Sequence, residues 1–380
     1  MDWRVPLADL DYGPEEDQAV LNVLHSKWLT MGAVTQEFEE QFARRLGAKY
    51  VFAVSNATEA LHLACLALGI GPGDEVIAPS LSFVATSNAV LYCGAEVRFA
   101  DIIGPEDLTI DPDEISRLVT QKTKAMIVMH YAGYPCRMKE IMAIADRHHL
   151  PVIEDAAHAP GAALDGKKIG TWGAAGCFSF FSNKNLSTGE GGMLVTDRED
   201  VAQKVRLQRS HGMTTLTYDR HKGHANSYDV VDLGYNYRID EIHSALGIEQ
   251  LKKLDANNAR RKAWTERYWK ALAGSGIGLP FQGTHGEPAY HLFPLLLPPG
   301  SDRKAFMDAL RLEAIQTSIH YPPIHKFSYY RSRFGDIPLP RTETISDREV
   351  TLPLYPTMGA ERVDLVAETV LRAIEHVRTN

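Results

Sequence analysis

Residues 125–158 read AMIVMHYAGYPCRMKEIMAIADRHHLPVIEDAAH. Ala125 to Met129 is an unbroken apolar run of strand length, Met138 to His149 repeats its apolar residues at helical spacing, and Pro151 to Ile153 opens a second apolar run. A strand, a helix and a strand in close succession describe a crossover between parallel neighbours in one sheet. The same texture extends outward on both sides. Upstream, Glu59 to Leu68 places Ala60, Leu61, Ala64, Leu66, Ala67 and Leu68 largely on one side of a helix, and Gly69, Gly71, Pro72 and Gly73 stop it. A strand-like run, Glu75 to Ala78, follows at once, and downstream Cys177 to Phe181 reads as another strand. From about Gln36 to Asp200 this alternation predicts an α/β fold with a mostly parallel sheet and helices on both faces.

Near Ile239 the texture changes. Glu241 to Leu272 is nearly free of glycine, has helical spacing and carries the charged stretch Arg260 to Lys262, which reads as a connecting helix pair. Beyond Gly274 come the apolar run His291 to Leu297, a helix over Asp302 to Leu312, a strand near Ile315 to Tyr321 and a terminal helix over Glu361 to Arg378. We therefore expect a large domain over residues 1–250 and a smaller C-terminal α+β domain over 251–380. No internal repeat or low-complexity tract interrupts the chain.

Composition narrows the classes. With 380 residues, 44% of them hydrophobic and 23% charged, the chain has the proportions of a soluble globular protein with room for two or three domains, and disorder as the main state is excluded. Met1 to Leu10 mixes Asp2, Arg4 and Asp9 with apolar residues and does not resemble a secretory signal. No apolar run reaches the roughly 18 residues that span a bilayer. The cysteines, Cys65, Cys93, Cys136 and Cys177, form no CxxC pair, so neither a disulfide framework nor a zinc ribbon is expected, and a reducing cytoplasm fits best. The net charge of −8 argues against a nucleic-acid binder, which needs a clustered basic surface. It leaves room for a small anion held in a local site.

In open parallel sheets ligands bind beyond the carboxyl ends of strands, so polar residues directly after apolar runs are where chemistry is sought. Four places stand out. In Val51 to Ala60, VFAVSNATEA, an apolar run ends in Ser55, Asn56 and Thr58 and a helix begins. Free N–H groups there suit a phosphate, and a plain helix cap by Ser or Thr is the alternative. In Val152 to His158, VIEDAAH, Glu154 and Asp155 end a buried strand. An ionised Asp there would keep a heteroaromatic nitrogen protonated, or else cap the next helix; His158 reads as a packed neighbour. In Phe178 to Gly192, FSFFSNKNLSTGEGG, Lys184 follows an aromatic strand among Ser179, Ser182, Asn183, Asn185, Ser187 and Thr188, with Glu190 as the nearby acid. Desolvation lowers an amine's pKa and makes Lys a nucleophile for a carbonyl, while a surface lysine on a glycine-rich turn is the bland alternative. Gly189, Gly191 and Gly192 let backbone approach a ligand closely. In Leu233 to Glu241, LGYNYRIDE, Asn236 and Arg238 are ligand contacts or interface residues, and the residues alone favour the interface.

Together these segments supply a phosphate cradle, an acid for a ring nitrogen and a lysine able to bind an aldehyde. Those are the requirements of pyridoxal 5′-phosphate.

At this point the sequence resembles the DegT family of nucleotide-sugar aminotransferases, over nearly the whole chain from KWLTMG (Lys27 to Gly32) to LPLYP (Leu352 to Pro356). The resemblance implies the type I fold of pyridoxal-phosphate-dependent transferases, with a seven-stranded, mostly parallel sheet. It implies that Lys184 carries the cofactor and Asp155 pairs with its ring nitrogen. Asn56, Ala57, Thr58 and Ser179 would hold the cofactor phosphate, Phe83 would stack on the ring and His158 would lie beside it. Asn236 in GYNYR resembles an asparagine that reaches the cofactor phosphate of the neighbouring subunit, which implies a homodimer with shared sites. Lys27, Trp28, Thr30, Asn185, Arg238, Tyr321 and His325 fall where the family contacts substrate, the last two within TSIHYPPIH (Thr317 to His325).

The sugar 3-dehydratase branch carries histidine in place of the lysine, and Lys184 argues against it. The phosphate loop reads Asn-Ala-Thr where many relatives have glycine. HSKWLTMG and TSIHYPPIH look more like the C4-amino sugar enzymes than the C3 group. The reaction implied is transfer of the amino group of L-glutamate to a UDP- or dTDP-linked 4-keto sugar, giving 2-oxoglutarate and a 4-amino sugar nucleotide in cell-surface polysaccharide or secondary metabolite synthesis. The alternatives are a C3 keto sugar, an inosose or another cyclic ketone, and a non-catalytic regulator on the same fold. No metal is expected, because His148 with His149, and His221 with His224, lack accompanying carboxylate or cysteine ligands at metal spacing.

Overall fold

The computed structural model describes residues 3–215, 227–284 and 286–377. Seven strands, β1 (Tyr50–Val54), β2 (Glu75–Pro79), β3 (Glu96–Ala100), β4 (Thr123–Met129), β5 (Val152–Asp155), β6 (Ala175–Ser179) and β7 (Gly192–Thr196), form one sheet in the order β1-β7-β6-β5-β4-β2-β3. Only β7 runs against its neighbours; every other pairing in this sheet is parallel. The expected mostly parallel sheet is therefore present.

The helices that matter for the site are α1 (Pro14–Ser26), α2 (Ala33–Leu46), α3 (Ala57–Ala67), α4 (Ala85–Tyr92), α5 (Met138–His148), α6 (Glu241–Leu272), α7 (Arg303–Leu312) and α8 (Ala360–Val377). Strand β4 shows why helices cover both faces. Its Met126 and Val128 join a core with Phe38 and Phe42 of α2 and Ile141 and Ile144 of α5, while Ala125 and Ile127 join a second core with Leu61 and Ala64 of α3 and Ala89 of α4. Alternate side chains leave a strand on opposite sides, so an apolar run without polar interruption needs two apolar layers.

Helix α6 corrects one expectation: Glu241–Leu272 is a single helix of 32 residues and not a helix pair. Asp240 caps it by accepting the His243 backbone N–H, and the segment has no proline. Its glycine, Gly247, is a packing device, because a Cβ there would lie 2.4 Å from the Phe38 ring. Ile248, Leu251 and Leu254 enter the large-sheet core, and Tyr268 and Leu272 enter a separate core around β8 (Phe293–Leu296) and β9 (Glu349–Leu352), an antiparallel pair covered by α7 and α8. One stiff helix thus sets where the smaller layer sits over the large sheet.

The expected strand near Ile315 to Tyr321 is absent. Ile315 bridges Val5, Ser318 bridges Thr351, and no ladder connects them. Pro322 and Pro323 follow directly and have no N–H to extend a pairing. Among the described residues no helix is long and apolar enough to cross a membrane.

Candidate active site

A cavity of about 680 Å³ opens beyond the carboxyl ends of β1, β5 and β6, lined among others by Asn56, Thr58, Phe83, Asp155, Lys184 and Tyr321. Where β1 ends, Asn56 caps α3 by accepting the Glu59 N–H through Oδ1 at 2.9 Å. That spends one of the four N–H groups a helix start leaves open, so Ala57 and Thr58 still present theirs, along with the positive end of the helix dipole. The cap therefore leaves room for an anion at this turn, and the capping residue is Asn rather than Ser or Thr. Gly192 opens β7 directly behind this turn. A Cβ there would meet the Asn56 carbonyl carbon at 2.5 Å and the Ala57 nitrogen at 2.7 Å, so glycine is what lets the turn close.

Asp155 is the last residue of β5 and is buried. Its Oδ2 accepts the Thr86 hydroxyl at 2.6 Å, and its Oδ1 accepts the Ala157 N–H at 3.2 Å. Ser82 lies 2.6 Å from the Thr86 hydroxyl; because Thr86 donates to Asp155, Ser82 is its donor. Burial pushes the Asp155 carboxyl up from its ordinary value, opposed by Thr86, Ala157 and the Lys184 charge. A cation brought against it therefore finds a carboxylate whose own solvation has been removed. Its neighbour Glu154 has a different task. It accepts the N–H groups of Gly170, Trp172 and Gly173 and bonds His130, pinning the loop behind the sheet.

Beyond β6 the chain folds into a tight turn. Phe181 O accepts the Lys184 N–H, and Phe180 is tied to Gly191 and Thr188 through its backbone. This aims Lys184 into the cavity, where desolvation pulls its ammonium down to about 8 against the opposite pull of Asp155. Asp155, and not Glu190, is thus the acid that Lys184 feels, since Glu190 is exposed at the cavity edge. Ser179 faces the same space, and the Phe83 ring stands half exposed at its mouth, 5.9 Å from the Tyr321 ring.

His158 is buried and held neutral by desolvation and by the Lys184 charge. Its Nδ1 accepts the Ala132 N–H at 3.2 Å, so Nε2 carries the proton and donates to the Tyr321 hydroxyl at 2.9 Å. The phenol proton of Tyr321 is left for a ligand.

Of the residues singled out in the sequence, Asn56, Ala57, Thr58, Phe83, Asp155, His158, Ser179, Lys184 and Tyr321 line this one cavity. Others do not. Asn185 is buried away from it, donating to Asn258 and the Ala289 carbonyl and bonding His291, because its turn points it back at α6. His325 is buried between Ser80 and Glu343. Lys27, Trp28 and Thr30 lie on the link between α1 and α2, Asn236 is exposed and bridges Ser210, and Arg238 donates to the Ser210 hydroxyl. Sequence reasoning passed over Thr86, which lies one turn beyond Ser82, and His320, which lines the cavity beside Tyr321. Among the described residues no group of three His, Cys, Asp or Glu gathers as a metal site, and His221 and His224 lie outside the described residues.

An anion cradle that only glycine allows, a buried carboxylate and a desolvated amine around one cavity fit pyridoxal 5′-phosphate. Comparison with known proteins agrees. The DegT/DnrJ/EryC1/StrS aminotransferase family model matches residues 11–371. The spore coat polysaccharide biosynthesis protein SpsC of Bacillus subtilis is 41% identical over 366 residues, 94% of each chain. Helicobacter pylori PseC, an aminotransferase involved in the biosynthesis of pseudoaminic acid, superposes with a TM-score of 0.92 at 30% identity, covering 98% of this chain and 99% of that one. The PLP-form of Spr1654 from Streptococcus pneumoniae gives 0.92 at 27% identity with the same coverage. The chain belongs to the DegT/DnrJ/EryC1/StrS aminotransferase family, and it is a sugar aminotransferase that works with pyridoxal 5′-phosphate.

Proposed function

We propose that the chain moves the amino group of L-glutamate to C4 of a UDP- or dTDP-linked keto sugar, acting in the cytoplasm as a homodimer whose subunits share their sites. The observation that carries this reading is the desolvated Lys184 amine facing the same cavity as Asp155. The names of SpsC and PseC support a sugar destined for a polysaccharide or a related acidic sugar. The shared site is supported by Asn236, which is exposed outside its own cavity, in a stretch that also exposes Tyr228, Val230, Val231 and Leu233.

When bound, the pyridoxal ring supplies an electron sink for the electrons released at the amino acid Cα. The protein does the rest. Ala57 and Thr58 N–H groups and the Ser179 hydroxyl would hold the phosphate, and Phe83 and His158 would hold the ring. Asp155, fixed by Thr86 and Ala157, would keep a proton on the ring nitrogen. Lys184, with an amine that deprotonates near pH 8, takes the proton from Cα of glutamate and in the second half-reaction returns one to the sugar carbon that receives nitrogen. Its free fraction rises as pH climbs toward 8, so the proton-transfer rate should rise over the same window. Replacing Lys184 with Ala should lower both half-reactions by about 10³-fold or more, the loss typical of a nucleophile that is also the base. Borohydride should fix the cofactor to the Lys184 peptide of the wild type. Full transamination by Lys184→Ala would overturn the assignment.

A further inference from the structure

Glu349 opens β9, is fully buried, and has no part in the chemistry above. Its Oε2 accepts the His320 N–H at 2.9 Å and its Oε1 bonds the Thr351 hydroxyl at 2.5 Å. The same hydroxyl oxygen lies 2.9 Å from His320 Nδ1. His320 lines the cavity, so three groups connect a carboxyl hidden in the smaller layer to a ring facing the substrate. The other polar groups around them are accounted for. The Tyr131 hydroxyl donates to the His320 carbonyl, Tyr321 turns its hydroxyl to His158, and Arg303 donates to the carbonyls of Ser346 and Glu349. On the cavity side His320 feels the Lys184 charge and neighbours His158 and His291.

A threonine hydroxyl has one proton to give. If Glu349 is ionised, Thr351 donates to it and must accept from His320 Nδ1–H, and Nε2 then shows the cavity a lone pair. If Glu349 carries a proton on Oε1, it donates to Thr351, Thr351 donates to Nδ1, and Nε2–H points into the cavity. We propose that Glu349, Thr351 and His320 form a proton-controlled polarity switch, in which the charge on Glu349 decides whether His320 offers the substrate a hydrogen-bond donor or an acceptor.

Burial lifts Glu349 to about 8, and burial with the Lys184 charge holds the His320 ring neutral down to about 4. Over the working range the ring therefore changes its tautomer and not its charge. Near neutral pH the donor form prevails, and it suits an anionic or carbonyl oxygen: the carboxylate of the amino acid or the keto oxygen of the sugar. The identity of these two substrates rests on the function proposed above, whereas the switch itself does not.

The test is the tautomer. In ¹⁵N-histidine-labelled holoenzyme, the His320 signal is the one lost in His320→Gln. It should report protonated Nε2 at about pH 6.5 and protonated Nδ1 at about pH 9. Glu349→Gln, whose amide reproduces the protonated carboxyl, should keep Nε2 protonated at both, and Thr351→Val should abolish the coupling. A wild-type ring with one tautomer at both pH values, or a Glu349→Gln ring that still switches, overturns the proposal. In kinetics the ratio of Glu349→Gln to wild-type kcat/KM should grow about tenfold across the same interval, the scale of one neutral hydrogen bond. Growth in the glutamate half-reaction assigns the donor to a carboxylate, growth in the sugar half-reaction assigns it to the keto oxygen, and growth in neither overturns the role. If the wild type aminates no nucleotide-linked keto sugar, the proposed function fails while the tautomer result stands.

Discussion

Asp155 at the end of β5 and Glu349 at the start of β9 are built from the same parts. Each is buried, each is hydrogen-bonded to one threonine hydroxyl and accepts one backbone N–H, and burial raises both. They differ in the cation they face. Asp155 looks across the cavity at Lys184, whereas Glu349 has Arg303, whose guanidinium is occupied by two carbonyls. Two donors alone do not keep a buried carboxyl ionised; a nearby cation does. One wall is therefore suited to holding a cationic ring nitrogen, and the other to holding a proton.

The most severe way to break this contrast is to remove the Asp155 carboxylate. Asp155→Ala should lower the glutamate half-reaction by about 10³-fold, since without a partner the ring nitrogen loses its proton and the electron sink weakens. The rate is followed by the change in visible absorbance of the bound cofactor. An unchanged rate would refute the ring-nitrogen role.

Next in size is a stability effect at the other wall. The folded-state pKa of Glu349, about 8, lies above its ordinary value of 4.5, so its contribution is intact at acid pH and is lost as pH rises toward 8. Glu349→Gln has no such loss. The difference in Tm between variant and wild type should move in favour of the variant by a few degrees between about pH 5 and about pH 8, then level off. A difference that stays flat across this window would mean that Glu349 is ionised throughout.

The two walls were not equally legible in the sequence. Lys184, Asp155 and Thr58 each fall within four residues of the end of an apolar run, and in a parallel sheet the end of such a run is a position in space as well as in the chain. The helices and strands of the large layer follow for the same reason. Glu349 and Thr351 sit two apart on a strand whose partner, β8, lies more than 50 residues away, and they reach His320 only because Ser318 bridges Thr351. No local pattern announces that meeting. Asn185 and His325 mislead in the opposite direction: they adjoin site residues in sequence, yet the tight turn and the packing against Ser80 point them elsewhere. Helix α6 reads as two in the sequence, where Arg260 to Lys262 is a charged stretch, yet it runs through unbroken because Arg261 is buried there and donates to the carbonyls of His291 and Leu354.

Thr86→Val carries the smallest expected effect and the sharpest test, because it moves one wall toward the other. The substitution keeps the shape of the side chain and removes the 2.6 Å hydroxyl donor to Asp155, leaving the Ala157 N–H. A donor stabilises the ionised carboxylate, so its loss must raise the Asp155 pKa further, in the direction already taken by Glu349. Asp155 would then hold a proton to higher pH and share less charge with the ring nitrogen. The acid limb of the kcat/KM profile should shift upward, and kcat near neutrality should fall roughly tenfold, the effect of about 1.4 kcal/mol from one charge-assisted hydrogen bond. Thr86→Ser, which keeps the hydroxyl, should restore both. If Thr86→Val lowered kcat without moving the acid limb, the hydroxyl would be positioning α4 and not tuning the carboxylate, and the contrast between the two walls would then rest on Lys184 alone.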